Sequence, residues 1–302
     1  MEEDPNSLQA RQARYEAILQ QLTMMSDLLA RNVLKDPACA AYVLQVILED
    51  PSLQIESLTV QKDYKNLYGR SATLDCVVKD AAGKLYDVEI QQEDEGAQPV
   101  RARYYSALMD MNTLNPGEQF DRLPETYVIF ITQGDIPGDG LPVYHIERIV
   151  KETGKAFSDK SHIIYVNASL QEETELGHLM HDFHCRKAAD MYSPVLAGKF
   201  RELKESPKGV SVMCRELLQL REEGRAEGLI EGRMEGRQEG REEGRMEGRQ
   251  EGRQEGRAEG QLIMLYDLVK DGMLTLSAAA AKANQSAEHF QADMERYFAD
   301  AG

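Results

Sequence analysis

Two short apolar runs constrain the fold of this chain more than any other feature. TYVIFIT (126–132) and HIIYVN (162–167) are nearly unbroken and rich in β-branched and aromatic side chains. Runs of this kind suit strands covered on both faces. A sheet holding two such strands needs helices on each side, and the chain supplies helical patterns around them. Residues 6–50 read as helices: NSLQARQARYEAILQQLTMM repeats its apolar positions at about 3.6 residues, Ser26 is placed to cap SDLLARNVL, and Pro37 opens an apolar helix over Ala41 to Leu48. Strand patterns occupy 55–92, helix returns at 100–114, and further helices are expected at 174–186 and 209–222. The expectation is an α/β layered domain with a small central sheet, ending near residue 220.

The chain has 302 residues, enough for one sizeable domain with appendages or two small ones, and its 42% hydrophobic content supports a packed core. No apolar run approaches the roughly 18 residues of a membrane span, and the opening MEEDPNSLQARQ lacks a signal peptide's apolar centre. A cytoplasmic protein without membrane contact is expected. Cys39, Cys76, Cys185 and Cys214 are far apart with no CxxC pair, which argues for reduced thiols. The net charge of −17 speaks against coating nucleic acid by bulk electrostatics, so any nucleic-acid function needs a local basic patch.

From Glu223 to Gly260 the chain repeats a four-residue unit, usually E-G-R-x, with glycine at every fourth position from 224 to 260. As a lone helix this is poor, because glycine disfavours helix and the spacing sets like charges at i,i+4. Two readings follow: a solvated linker or fraying helix, or a helix held by a partner such as a second copy of the tail. Residues 261–302 look folded again, as the helix QLIMLYDLVKDGML and a helical region SAAAAKANQSAEHFQADMERYF. Their break is faintly similar to a helix-turn-helix, but few cations are available for phosphates, and a protein contact fits better than DNA reading.

The stretch LDCVVKDAAGKLYDVEIQQ (74–92) reads as a hairpin with Leu74, Cys76, Val78, Tyr86, Val88 and Ile90 on one apolar face. Ala81-Ala82-Gly83 is a natural three-residue loop with glycine at the left-handed position. Pairing Asp80 with Lys84 then sets Asp75 opposite Glu89, with Asp87 and Gln91 on the same face. Two opposed carboxylates repel unless one is protonated or a cation lies between them. A hard divalent ion such as Mg²⁺ resolves the conflict. A solvent-facing side of an amphipathic hairpin accounts for the same pattern, and a slip of one residue would undo the pairing.

The spacing D75-(x13)-E89-x-Q91, after a helical region and before a helix beginning near Arg101, resembles the PD-(D/E)XK nuclease superfamily. More narrowly it resembles the recombination-promoting nuclease and putative transposase branch, in which Gln often replaces the Lys of E-x-K. GRSATLD, YDVEIQ, GAQPVRARYYSALMD, LPETYVIFIT, LPVYHIERIV, HIIYVN and LGHLMHDF are similar to the family's pattern in its order, over roughly residues 20 to 260. The resemblance implies a restriction-endonuclease-like core, a small mixed central sheet flanked by helices, followed by a repetitive helical or flexible tail and a small helical C-terminus. The implied domains are a nuclease-like domain at 1–222, a linker or oligomerising helix at 223–260, and a helical segment at 261–302.

It further implies a metal-dependent DNA endonuclease of recombination, mobile elements or anti-phage defence. Asp75, Glu89 and Gln91 would be catalytic, with Asp75 and Glu89 as ligands of Mg²⁺ (or Mn²⁺/Ca²⁺), DNA as partner and residues 223–260 as the seat of a homo-oligomer. Gln91 departs from the superfamily's Lys: an amide orients water but supplies no positive charge. Arg101 and Tyr105 form an R-x-x-x-Y on one helix face similar to a family motif, which would set Arg101 against a phosphate. With Arg103, Lys62, Lys65 and Arg70 it would form the local basic patch, although Arg103 also fits a solvated charge and Tyr104 fits core packing. Asp87 is read as an accessory acid, and Asp27 as a first-turn helix charge or an acid approaching the metal. The contrasting reading keeps the fold but not the turnover, as a binding or regulatory module acting through the tail and C-terminal helices.

ELGHLMHDFHC sets His178, His181 and Cys185 at i, i+3 and i+7, a spacing at which zinc is considered. The amphipathic pattern through Leu176, Leu179, Met180 and Phe183 explains the segment without metal. His145 and His162 read as structural. No G-x-S-x-G elbow, Walker motif or dinucleotide fingerprint occurs.

Overall fold

The computed structural model describes residues 8–65 and 70–300. Part of the N-terminal stretch read as free of an apolar leader (1–7) and Gly69 of GRSATLD lie outside them. Among the described residues no helix is long and apolar enough to cross a membrane.

Three helices open the chain: α1 (Leu8–Gln21), α2 (Asp27–Leu34) and α3 (Pro37–Ile47). Ser26 precedes α2 as expected, although its hydroxyl makes no capping bond. Pro37 takes the first turn of α3, where its missing N–H costs nothing, and Asp36 accepts from the Ala38 N–H. Three strands follow, β1 (Ile55–Tyr64), β2 (Ala72–Asp80) and β3 (Leu85–Gln91), then α4 (Pro99–Met111). The run 126–132 is β4 (Thr126–Thr132). Then come β5 (Val143–Ile146), the two-residue strands β6 (Ile149–Val150) and β7 (Lys155–Ala156), and β8 (Ser161–Asn167). Helices α5 (Glu175–His184) and α6 (Pro194–Glu205) close the layer.

The main sheet has the order β1-β2-β3-β4-β8-β5. β3, β4 and β8 run parallel, while the β1–β2, β2–β3 and β5–β8 pairs are antiparallel. This is the central sheet flanked by helices that the apolar runs called for, and its mixed strand directions are those that the resemblance implies. β4 and β8 lie inside it, and Val128, Ile129, Phe130 and Ile131 are fully buried. Alternation divides the core in two. Cys76, Val78, Tyr86, Val88, Ile129 and Ile131 pack with residues of α1, α2, α3, α5 and α6, such as Leu29, Leu44, Phe183 and Phe200. Val77, Val128 and Phe130 point the other way, onto Ala102, Tyr105, Leu108 and Met109 of α4. Leu74 was expected with Cys76 and Val78; instead it packs in the α4 cluster. The departure coincides with an irregularity in β1. Gln61, between the Val60–Cys76 and Lys62–Leu74 pairs, holds a left-handed backbone at φ 50°.

Helix α7 (Pro207–Lys270) is continuous for 64 residues. The helix expected at 209–222 therefore does not stop there, and the E-G-R-x repeat is helical throughout rather than an irregular linker. The glycines set about 0.8–1 kcal/mol each against an isolated helix of this composition. The chain divides between Arg221 and Glu222 into two compact units. In the second, the end of α7, α8 (Leu276–Lys282) and α9 (Ala287–Asp300) surround a small core of Leu265, Tyr266, Ala279, Ala280 and Phe290. Three helical pieces thus stand where two were expected, because the Ala-rich stretch turns at Ala283–Asn284, where Asn284 is left-handed at φ 55°.

Candidate metal centre

The β2–β3 hairpin takes the expected register. Cys76 pairs with Val88, Val77 with Asp87 and Lys79 with Leu85. Gly83 turns the loop at φ 84°, a conformation glycine adopts without a Cβ penalty. The paired ladder ends at Cys76 and Val88; beyond it the Asp75 N–H donates to the side chain of Glu89, at Oε1, at 2.9 Å. The Ile90 N–H reaches Asp75 Oδ2 at 3.4 Å.

This acidic face is not a solvated one. Glu89 and Asp87 have no exposed surface, because α4 and its cluster lie over the odd-numbered face of β3. Among the described residues, Asp87 is the one acid whose buried oxygens both lack a hydrogen-bond partner. Burial disfavours the charged form of each carboxyl, and neighbouring carboxylates add to it. Burial pushes Glu89 up to about 8, with the Asp75 charge next. Asp75 rises to about 6 through burial and then the charge of Asp27. Asp87 is raised well above the ordinary range, first by burial and then by Glu89 and Asp75.

Arg31 acts on Asp75 by charge, and Arg101 bonds directly to the group. Arg101, on the first turns of α4, donates from Nη2 to Glu89 Oε2 at 3.2 Å, from Nε to the Tyr105 hydroxyl at 2.7 Å and from Nη1 to the Gly96 carbonyl at 2.6 Å. Its guanidinium also lies over the Tyr105 ring, 5.0 Å from the centroid. Gln91 Nε2 approaches the same Glu89 Oε2 at 3.5 Å. Gly96 makes room for both side chains: a Cβ there would overlap the Gln91 amide oxygen and lie 2.9 Å from Gln91 Cδ. Gln92 Nε2 donates to the Met25 carbonyl at 2.9 Å, tying the end of β3 to the turn before Asp27.

The structure separates the expected residues. Asp75, Glu89, Gln91 and Arg101 converge as described. Tyr105 is buried, stacked at 6.3 Å on Phe130, with its hydroxyl on Arg101 rather than open to a ligand. Arg103 is exposed on α4, and Arg70 is held beside that helix by the Tyr104 hydroxyl on its carbonyl. Lys65 is exposed, and Lys62 lies 5.0 Å over the Tyr64 ring. Asp27 is exposed, pairs with Arg31 at 3.8 Å, and acts on Asp75 through its charge. Sequence reasoning missed Gly96; its signal was a lone glycine just before the proline that opens α4.

The donor set suits a hard divalent cation. It consists of carboxylate oxygens and one amide oxygen, with Arg101 paired to Glu89, Arg31 and Arg101 both acting on Asp75 by charge, and no N–H or hydroxyl group on Asp87. The second constellation differs from its expectation. His178 stacks on Tyr192 at 4.1 Å and pairs with Glu173, so it does not join His181 and Cys185. Asp182 takes its place, and ligand atoms of His181, Asp182 and Cys185 lie within 4.8 Å of one another. Asp182 already accepts the Tyr192 and Ser193 N–H groups at 2.7 and 2.8 Å, anchoring the loop before α6. His162 is structural as expected, stacked at 4.5 Å on Tyr127 and bonded to Glu125.

Among known families, residues 40–178 match the family described as PD-(D/E)XK nuclease family transposase. The segment contains the whole hairpin, α4 and the central strands. No curated protein and no solved structure matches the chain.

Proposed function

With residues 40–178 matching the PD-(D/E)XK nuclease family transposases, we propose that this protein is a divalent-metal-dependent DNA endonuclease of recombination, mobile elements or anti-phage defence. The observation that carries the reading is the half-buried Asp75 bonded to the fully buried Glu89, with a buried Asp87 beside them that no N–H or hydroxyl group reaches. In the proposed site Asp75 and Glu89 hold Mg²⁺, with Mn²⁺ or Ca²⁺ as substitutes. The ion supplies charge neutralisation and activation of water toward a phosphodiester.

The chain's own residues do the rest. Glu89 accepts the Asp75 N–H, which fixes the two strands' acids relative to each other. Gln91 orients a water near Glu89. Tyr105 and the Gly96 carbonyl hold Arg101 at the mouth of the site, where its release from Glu89 would present the guanidinium to a phosphate. Arg103 and Arg70, exposed beside α4, extend the cationic approach that an acidic chain needs in order to meet DNA. In this reading 1–222 forms the nuclease domain of a cytoplasmic protein, 223–260 joins copies, and 261–302 forms a helical end.

A second reading, a nuclease fold that binds without turnover, has its own support. Gln91 contributes no positive charge, and Arg101 is already engaged by Glu89. Incubating the full chain and its Glu89→Ala form with supercoiled plasmid, Mg²⁺ or Mn²⁺, and then chelator separates the two. Nicking by the parent alone, lost with chelator, supports the nuclease. No cleavage by either across ions and substrates supports the binding module, and equal cleavage by both removes the hairpin from the mechanism.

A further inference from the structure

The self-association proposed for the repeat has a direction written into its charges. From Glu231 to Arg257 glutamate precedes and arginine follows every glycine, and each variable residue, such as Met234, Gln238 and Met246, has arginine before it and glutamate after it. The whole stretch is helical and exposed. Four residues turn a helix through roughly 400°, so the four stripes drift together and keep their order around it. Glu and Arg two apart point to different sides, and i,i+4 neighbours carry the same sign. Accordingly, no ion pair forms within this stretch among the described residues, where the last pair before it joins Arg201 to Glu205 and the next joins His289 to Asp293.

These charges are satisfied only from outside the helix, and their order selects the partner's direction. When two helices pack along a seam, the residue before a seam position meets the residue after one if the helices run parallel. In an antiparallel pair, before meets before and after meets after. A seam on the glycines or on the variable residues is flanked by Glu on one side and Arg on the other. Either seam gives Glu–Arg contacts on both flanks of a parallel pair and Glu–Glu and Arg–Arg contacts in an antiparallel one.

We propose that two copies of this chain pair through residues 231–257 as parallel helices, the Arg flank of each lying against the Glu flank of the other. Ile230 and Met234, both well exposed, lie at the N-terminal end of that pairing and would be covered by it. A period longer than the helix's own repeat winds such a pair right-handed. Parallel pairing carries two copies of the candidate metal centre at the same end of the repeat, an arrangement suited to acting on two strands or two sites together. That consequence rests on the nuclease reading; the pairing does not.

The test uses the full chain with Cys214→Ser, so that the half-buried native thiol is removed. Ala226→Cys and Ala258→Cys are made separately at exposed variable positions and treated with a short thiol cross-linker. Each variant is expected to cross-link to itself, and sedimentation is expected to give a dimer that loosens as salt rises. Arg237→Glu, Arg241→Glu, Arg245→Glu and Arg249→Glu together should abolish self-pairing. Cross-links that form only in a mixture of the two variants would mean antiparallel helices and overturn the proposal. A chain that stays monomeric at all concentrations would overturn it too. Neither readout depends on cleavage, so failure here and failure of the nuclease reading are told apart.

Discussion

Arg101 Nη2 stands 3.2 Å from Glu89 Oε2, so the cation at the start of α4 occupies the carboxylate that the proposed metal would use. Arginine and divalent ion therefore compete. Arg101→Ala should tighten Mg²⁺ binding in a calorimetric titration while destabilising the metal-free protein. The Arg101 side chain is 34% exposed, so a loss of about 1–2 kcal/mol in chemical denaturation is expected, less than for a fully buried pair. Weaker Mg²⁺ binding in this variant would place the ion elsewhere.

Glu89→Gln keeps the volume and removes the charge. A proposed metal ligand should matter more than the roughly 10–100-fold of supporting groups, so the initial rate of plasmid nicking should fall by more than about 100-fold. Asp75→Asn should behave alike. A rate within about tenfold of the parent would exclude Glu89 as a ligand.

Gly96→Ala tests the crowding of the site without touching a charge. Its Cβ would displace the Gln91 amide, the far end of a flexible side chain. Stability should change by less than about 1 kcal/mol, while the cleavage rate falls because Gln91 and Arg101 lose their places. Equal loss of thermal stability and rate would make Gly96 a folding residue instead.

The carboxyl shifts set a pH dependence with a definite sign. Asp75 is raised to about 6 and Glu89 to about 8, both first by burial, above the ordinary 3.8 and 4.5. The folded chain thus holds more protons than the unfolded one across that window. The cluster's contribution is fully present below about pH 4 and is lost as pH rises through 6 to 8. Metal-free protein should show a smaller melting-temperature difference between parent and Glu89→Gln at pH 5 than at pH 8, the variant being favoured at pH 8. Saturating Mg²⁺ should flatten the parent's decline, since an ion bound only by the folded state stabilises it, and chelation should restore the slope.

The hairpin was legible because its signals are local. A three-residue loop ending in glycine sets the register from Cys76–Val88 to Lys79–Leu85, and alternation along β3 places Asp87, Glu89 and Gln91 on one face, while Asp75 joins them through its N–H on Glu89 rather than through the ladder. The central strands were legible for a similar reason, since only a strand covered on both sides tolerates an unbroken run like that of β4. The helical repeat was readable as a pattern of charges but not as a structure: an isolated helix of that composition is penalised at every fourth residue.

Alternation says which side chains share a face; it does not say what lies over that face. Whether Glu89 and Asp87 meet water or protein depends on where α4 lands, and that is decided by packing between residues such as Tyr105 and Phe130, far apart in the chain. The same landing turns Arg101 inward onto Glu89 and buries Tyr105. The order of residues alone therefore determined the strands and the hairpin that carries the acids. Only the tertiary structure decided that Glu89 and Asp87 are buried and Asp75 half-buried, which raises all three and leaves Asp87 out of reach of any N–H or hydroxyl group, because desolvation comes from neighbours distant in sequence.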